Sequence, residues 1–432
     1  MDASDNVIDN TTGIVRWVSE IPLEPGEPEI FNFSVKMCDS SRFFPLGCYD
    51  RNGGAGLTPE EAYRAAVGEA IERYCSSAFW PDQLLLGSYD EVQQQGRALG
   101  PDDIALFHPE QKSTIRYPWF TRDRRIAWTR GYSLTRREAI LVPACLTYVP
   151  YAPFLREQGE ETIGPSITTG QACAFSYRDA ALRGIYEIVE RDAFMITWMN
   201  RLPVPRIDPE SSPAVGKIFR ERFARPNLRY LLYSMATDLG IPSVLCVVID
   251  EQRDPPMICT GGASNLDPER AAVKSLVEAA QTREWAKFMG YEKKPVIIES
   301  DYSNLDEFDK HVRLYAYGNM LPAIEFLLRS EPQLSLRDLE PKLPAAADDL
   351  RRVADAIESQ GYEILMVDLT TPDVWDCGYR AVKMMIPQLQ QLEGDHTHRL
   401  LGGRRLYEVP GRIGYDVACS FSSLNPDPHP YP

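Results

Sequence analysis

The chain has 432 residues, of which 44% are hydrophobic, 25% charged and 10% aromatic, the make-up of a globular protein long enough for a sizeable core. A formal net charge of −16 excludes a broad phosphate-backbone-binding surface, because nucleic-acid affinity rests on clustered Lys and Arg; a local positive pocket for a nucleotide stays open. Nine cysteines, without a CxxC pair or zinc-finger spacing, fit a reducing cytoplasm, and no apolar run of about 18 residues gives a membrane span.

Residues 1–40 read as a polar N-terminal lead-in, ahead of one catalytic-sized domain over 41–432. Residues 38–56 (CDSSRFFPLGCYDRNGGAG) read as a long loop rich in Gly and turn formers. Thr58-Pro59-Glu60-Glu61 then opens a helix, with Thr as N-cap, Pro at the first helical position and acids in the first turn; it runs to about Phe79. Residues 124–151 read as strands broken by the polar turn Thr135-Arg136-Arg137-Glu138. A second long helix covers 178–199. Strand-like runs follow at 229–236, 241–250 and 256–263, then a third helix over 267–289 opened by Asp267-Pro268-Glu269. Late strands fall at 362–369 and 378–386, and the chain from Leu401 onward is rich in Gly and Pro. Irregular alternation with hairpins among the strands predicts an α+β (mixed α/β) fold rather than a clean doubly wound sheet.

The three helices carry related charges. The first has Glu69-Ala-Ile-Glu72-Arg73, the second Glu187-Ile-Val-Glu190-Arg191, and the third Glu278 and Gln281 followed by Arg283. A spacing of three puts both acids on one helix face. The second helix is apolar nearly all round, through Ile185, Ile188, Val189, Phe194, Met195, Ile196 and Trp198, so it is predicted to be buried, with a single polar stripe at Arg183, Gly184, Glu187, Glu190 and Arg191. Carboxylates in such a helix cost several kcal/mol unless compensated. Two compensations fit the pattern: an ion-pair network with the arginines, or hard Mg²⁺ ions shared with phosphates that the arginines also contact.

No P-loop, Rossmann fingerprint, nucleophile elbow or kinase motif set is present. Gly53-Gly54-Ala55-Gly56 precedes the first helix, where backbone N–H groups can meet an anion; a flexible turn is the other reading. His396 and His398 form a lone HxH. The last seven residues, Pro426-Asp427-Pro428-His429-Pro430-Tyr431-Pro432, alternate prolines that favour a stiff extended strand, able to hold the terminal carboxylate at a fixed point as a proton acceptor.

Taken together, the segments GLTPEEAYRAAVGEAIERY (56–74), ACAFSYRDAALRGIYEIVERDAF (172–194), GGASNLDPERAAVKSLVEAAQTR (261–283), VDLTTPDV (367–374), LLGGRRLYEVP (400–410) and the PDPHPYP ending resemble the YcaO-domain family, in its azoline-forming peptide cyclodehydratase branch. The resemblance spans the chain from about residue 45 onward. It implies β-sheets packed against helices around an ATP site. Glu69, Glu72, Glu187 and Glu190 match Mg²⁺-holding glutamates; Arg191, Glu278, Gln281 and Arg283 match the ATP- and phosphate-binding set. The carboxylate of Pro432 matches a position that assists cyclisation. One departure is that many members read G-K-G before the first helix, where this chain has Gly54-Ala55-Gly56.

The implied chemistry is ATP-dependent. A Cys, Ser or Thr side chain of a ribosomal precursor peptide attacks the preceding carbonyl, the oxyanion takes the γ-phosphoryl group, and loss of phosphate leaves a thiazoline or oxazoline. Thioamide or amidine formation, and a non-catalytic peptide-binding subunit, are the alternatives. Residues 1–30 are too short for the winged-helix leader-binding module of many relatives, so a partner protein in trans is expected. A flavin-dependent dehydrogenase and a homodimeric state are further expectations of the resemblance, with no nucleic-acid or membrane partner.

Overall fold

In the computed structural model the described residues are 6–291 and 297–432, so the first five residues of the expected lead-in lie outside them. The chain forms two compact units, each assembled from separated stretches. The first takes residues 1–21, 32–188 and 346–389, and the second 22–31, 189–345 and 390–432.

The first unit holds two sheets. Strands β1 (Val15–Ile21), β2 (Phe31–Met37) and β3 (Arg51–Gly56) lie side by side in that order. The larger sheet uses β4 (Leu85–Gly87), β5 (Ile126–Ser133), β6 (Glu138–Pro143), β7 (Gln171–Ala174), β13 (Leu365–Asp368) and β14 (Arg380–Met385), in the order β4-β5-β13-β14-β7 with β6 paired to β5. The β5–β6 hairpin is the one the turn at 135–138 predicts, with Ser133 opposite Glu138. Helix α1 (Pro59–Ser77) packs on β3, β7 and β14. Its start is a capping box: Thr58 Oγ1 accepts from Glu61 N, and Glu61 accepts from Thr58 N at 3.1 Å.

Here the glycine-rich segment departs from expectation. Residues 51–56 are strand β3, not the end of a loop. A Cβ on Gly54 would sit 2.1 Å from Ala66 N and 2.7 Å from Ala65 C, and one on Gly56 would sit 2.7 Å from Ala62 N. The glycines let the strand lie against the α1 backbone, a tertiary reason that local turn chemistry does not reveal. The lead-in likewise contains β1 and β2, and the Gly/Pro-rich end contains helix α4 (Arg405–Arg412).

The second unit is built on one sheet of β8 (Arg206–Ile207), β9 (Leu228–Ser234), β10 (Ser243–Asp250), β11 (Met257–Ser264) and β12 (Pro332–Leu334), in the order β11-β10-β9-β8-β12. β9, β10 and β11 pair antiparallel, and β10 is buried at every residue, which explains its near-continuous apolar run. Helix α3 (Pro268–Gly290) lies on β10 and β11, capped by Asp267, whose carboxylate accepts from Glu269 N and Arg270 N. Gly261 repeats the device seen at Gly54: its Cβ would be 2.3 Å from Ala279 N.

Helix α2 (Tyr177–Met199) begins in the first unit, and its last eleven residues, from Val189, belong to the second. Those residues are buried except Arg191, as the apolar pattern predicts, and Phe194 and Trp198 join a core with Tyr233, Val247, Tyr315 and Tyr431. Among the described residues no helix is long and apolar enough to cross a membrane, and all nine cysteines are unpaired.

Candidate functional site

The first unit gathers three of the singled-out glutamates. On α1, the Arg73 guanidinium lies 3.3 Å from Glu69 Oε1 and 3.4 Å from Glu72 Oε1. On α2, Glu187 accepts from the N–H of Gly170 at 3.0 Å. Gly170 has φ +87°, and a Cβ there would be 2.3 Å from Met384 O, so only glycine presents its N–H in this way. Burial pushes the Glu72 carboxyl up to about 8; Arg73 and Lys383 oppose the rise, while Glu187 and Glu69 add like-charge repulsion.

Lys383, on β14, was not singled out in the sequence. It is buried, and its ammonium donates to Ile167 O at 2.7 Å and Thr169 O at 2.8 Å. Burial lowers it to about 8, against the attraction of Glu187 and Glu72. The available signal was a lone lysine inside an apolar strand, AVKMM.

The second unit gathers another set. Glu190, only 2% exposed, accepts a hydrogen bond from the Tyr431 hydroxyl, and Arg191 Nε is 3.4 Å from the same carboxylate. The Arg191 guanidinium lies over the Tyr431 ring, 4.3 Å from its centroid. On α3, Glu278 meets Lys274 at 3.3 Å and accepts from Gly262 N at 3.3 Å. Burial pushes the Glu190 carboxyl up to about 7, with repulsion from Glu278 adding to it and Arg191, Lys274 and Tyr431 pulling the other way.

Two singled-out residues of α3 stand apart from this set. Gln281 is half-buried one turn beyond Glu278. Arg283 is buried and bound by carboxylates: its Nε and Nη2 donate to Asp250 at 3.0 and 2.6 Å, and its Nη1 donates to Glu27. Neither Asp250 nor Glu27 lies near enough in sequence to be assigned as its partner from the local string. Pro432 directly follows the buried Tyr431. His396 and His398 lie in a single short turn capped by Asp395, whose carboxylate accepts from Thr397 N and lies 3.0 Å from His398 Nδ1.

Glu187 and Glu190 are one turn apart on α2, and each belongs to a carboxylate set with its own arginine. Mutually repelling carboxylates with neighbouring guanidinium groups suit hard cations and phosphates, and equally form ion-pair networks. The chain belongs to the YcaO family: residues 53–390 match the family described as YcaO cyclodehydratase, ATP- and Mg²⁺-binding. A protein of Methanothermobacter thermautotrophicus is 26% identical over 347 residues, covering 79% of this chain and 82% of its own. A solved heterocyclase in complex with substrate and cofactor is 23% identical with a TM-score of 0.76; the match covers all of this chain and 57% of that longer one. YcaO from Methanopyrus kandleri, bound with AMPPCP and Mg²⁺, is 19% identical with a TM-score of 0.58, covering 87% of this chain and 86% of that one.

The residues present suit the ions of that family. All four glutamates offer hard oxygen donors, and the Glu72 and Glu190 carboxyls, raised first by burial and then by repulsion from neighbouring glutamates, are groups whose ionised form a divalent cation favours. Among the described residues no three His, Cys, Asp or Glu side chains form a ready-made metal cage. Mg²⁺ commonly takes one or two carboxylates and completes its shell with phosphates and water, which this arrangement matches.

Proposed function

We propose that the protein is an ATP-dependent cyclodehydratase acting on backbone amides of a ribosomal precursor peptide, converting Cys, Ser or Thr to thiazoline or (methyl)oxazoline. The observation that carries the proposal is that the E-x-x-E-R strings of α1 and α2 each form a close carboxylate–arginine pair, Glu72 with Arg73 and Glu190 with Arg191, in a YcaO chain. ATP with Mg²⁺ supplies the phosphoryl group that makes the amide oxygen a leaving group.

The protein's own groups have separate tasks. Glu69, Glu72, Glu187 and Glu190 hold the metal ions. Arg191 faces the phosphates, its side chain fixed by the Tyr431 ring beneath it. Glu278 and Gln281 line the nucleotide side of α3, and Arg283 anchors α3 through Asp250 and Glu27. The Pro432 carboxylate accepts the proton released on ring closure. The proline-alternating tail favours azoline formation over thioamide or amidine formation. A leader-binding protein in trans, a flavin-dependent dehydrogenase and a second copy of the chain are the proposed partners.

Mass spectrometry of candidate precursor peptides after incubation with protein, partner, ATP and Mg²⁺ tests the reading. Loss of one water per modified residue supports cyclisation. Exchange of oxygen for sulfur identifies a thioamide synthetase instead, and tight peptide binding with unchanged mass and no ATP turnover identifies a binding subunit.

A further inference from the structure

Residues 425–431 form a strap that is bound along its length. Asn425 donates its N–H to Met199 O at 2.7 Å, and its side-chain amide donates to Trp198 O at 3.1 Å. The next four carbonyls after Pro426 are each taken by a different side chain. Trp198 Nε1 donates to Asp427 O at 3.2 Å, Tyr315 Oη to Pro428 O at 2.6 Å, His311 Nδ1 to His429 O at 2.8 Å, and Thr260 Oγ1 to Pro430 O at 2.9 Å.

The alternating prolines suit this environment for a reason beyond stiffness. Pro428 and Pro430 are buried and have no N–H, and a buried N–H without an acceptor costs about 1–3 kcal/mol. Two of the remaining donors close on the His429 ring and its neighbour. His429 Nε2 donates to Glu393 O at 2.7 Å, and its Nδ1 accepts from Tyr431 N at 3.3 Å, which fixes one neutral tautomer.

The strap ends on Tyr431, fully buried, against Phe194 with ring centroids 4.4 Å apart. Its hydroxyl occupies the space a Cβ on Gly262 would need: that atom would lie 2.1 Å from Tyr431 Oη. Gly262 is therefore the residue that admits the hydroxyl to Glu190.

We infer that Tyr431 is a positioning residue for the metal and nucleotide groups of the second unit. Its hydroxyl fixes the orientation of the Glu190 carboxylate and its ring supports Arg191, so the strap acts on Mg²⁺–nucleotide binding as well as on ring closure. This rests on the reading of Glu190 as a metal-holding residue. A carboxylate oriented by a hydrogen-bond donor binds metal about 10–100-fold better than one left unoriented.

The test uses the 432-residue chain, Tyr431→Phe and Glu190→Gln, with Mg²⁺ titrated calorimetrically in the presence of a non-hydrolysable ATP analogue and no peptide. Tyr431→Phe keeps the ring against Phe194 and beneath Arg191 and removes only the hydroxyl. The expected result is Mg²⁺ affinity reduced about tenfold in Tyr431→Phe, more in Glu190→Gln, with gel-filtration profile and circular dichroism unchanged. A purely structural strap leaves the Mg²⁺ titration of a folded Tyr431→Phe protein at the wild-type value, and with Glu190→Gln impaired that result overturns the inference while the proposed function stands. Wild-type titrations in both variants overturn the assignment of Glu190 and the inference with it.

Discussion

Replacing Glu72 by Gln is expected to stabilise the ligand-free protein while removing its response to Mg²⁺–nucleotide. The Glu72 side chain is 18% exposed, and burial with like-charged neighbours raises its carboxyl from 4.5 to about 8. A pKa raised in the folded state means that the native chain holds more protons than the unfolded chain between those two values. The contribution to stability is therefore complete below pH 4.5 and is lost as pH rises toward 8. At pH 7 the loss amounts to about 1.4 kcal/mol for each of roughly 2.5 pH units, or about 3.5 kcal/mol at most. Glutamine retains the volume and cannot ionise, so the gain in melting temperature is small at pH 5 and grows toward pH 8. Because the carboxylate is proposed to hold metal, the increment that Mg²⁺ and a non-hydrolysable ATP analogue add to the wild-type melting temperature disappears in the variant. Differential scanning fluorimetry across pH 5–8, with and without Mg²⁺–nucleotide, reads both effects. A variant that melts below wild type at pH 8, or that keeps the wild-type increment, refutes the reasoning.

Gly54→Ala forces a Cβ to 2.1 Å from the Ala66 amide, so denaturant unfolding is expected to show a loss of about 3 kcal/mol or more, whereas Gly68→Ala, with nothing within 4 Å, gains up to about 1 kcal/mol. Equal small effects at both positions would show that β3 and α1 are not in backbone contact. Arg283→Ala leaves Asp250 buried without its cationic partner, while Glu27 keeps Lys287 at 2.6 Å, and is expected to cost about 3 kcal/mol of stability. A stable Arg283→Ala protein that has lost nucleotide binding would instead place Arg283 on the phosphates. One alanine appended after Pro432 is expected to slow ring formation, followed by mass spectrometry, with nucleotide affinity retained; unchanged ring formation removes that carboxylate from the chemistry.

What could be read from the sequence divides by the distance over which the cause acts. The three long helices were legible because their causes are local: Thr58-Pro59 with Glu61, and Asp267-Pro268, satisfy the first-turn N–H groups within four residues. Burial of α2 was legible because its apolar residues occupy nearly every face. The E-x-x-E-R strings gave the candidate glutamates but left ion-pair network and metal site as alternatives, since spacing does not report what lies opposite a carboxylate. Strand β3 was misread because its glycines answer to the α1 backbone, not to a turn. Arg283 finds its partners 33 and 256 residues away, and nothing in the local string distinguishes a phosphate-facing arginine from one already bound by two acids.

The tail shows the same division within seven residues. Stiffness was readable from alternating prolines. That those prolines suit a buried strap was not, because the groups that take its carbonyls come from positions near 198, 260, 311 and 315. Tyr431 and Glu190 are 241 residues apart in sequence, yet one hydroxyl joins them. Deleting the last two residues therefore removes two things together: the terminal carboxylate, expected to act in ring closure, and the donor that orients a proposed metal ligand. Tyr431→Phe and extension beyond Pro432 separate them, since the first alters only the donor and the second only the carboxylate. Mg²⁺ affinity follows the first change and ring formation the second if both readings hold.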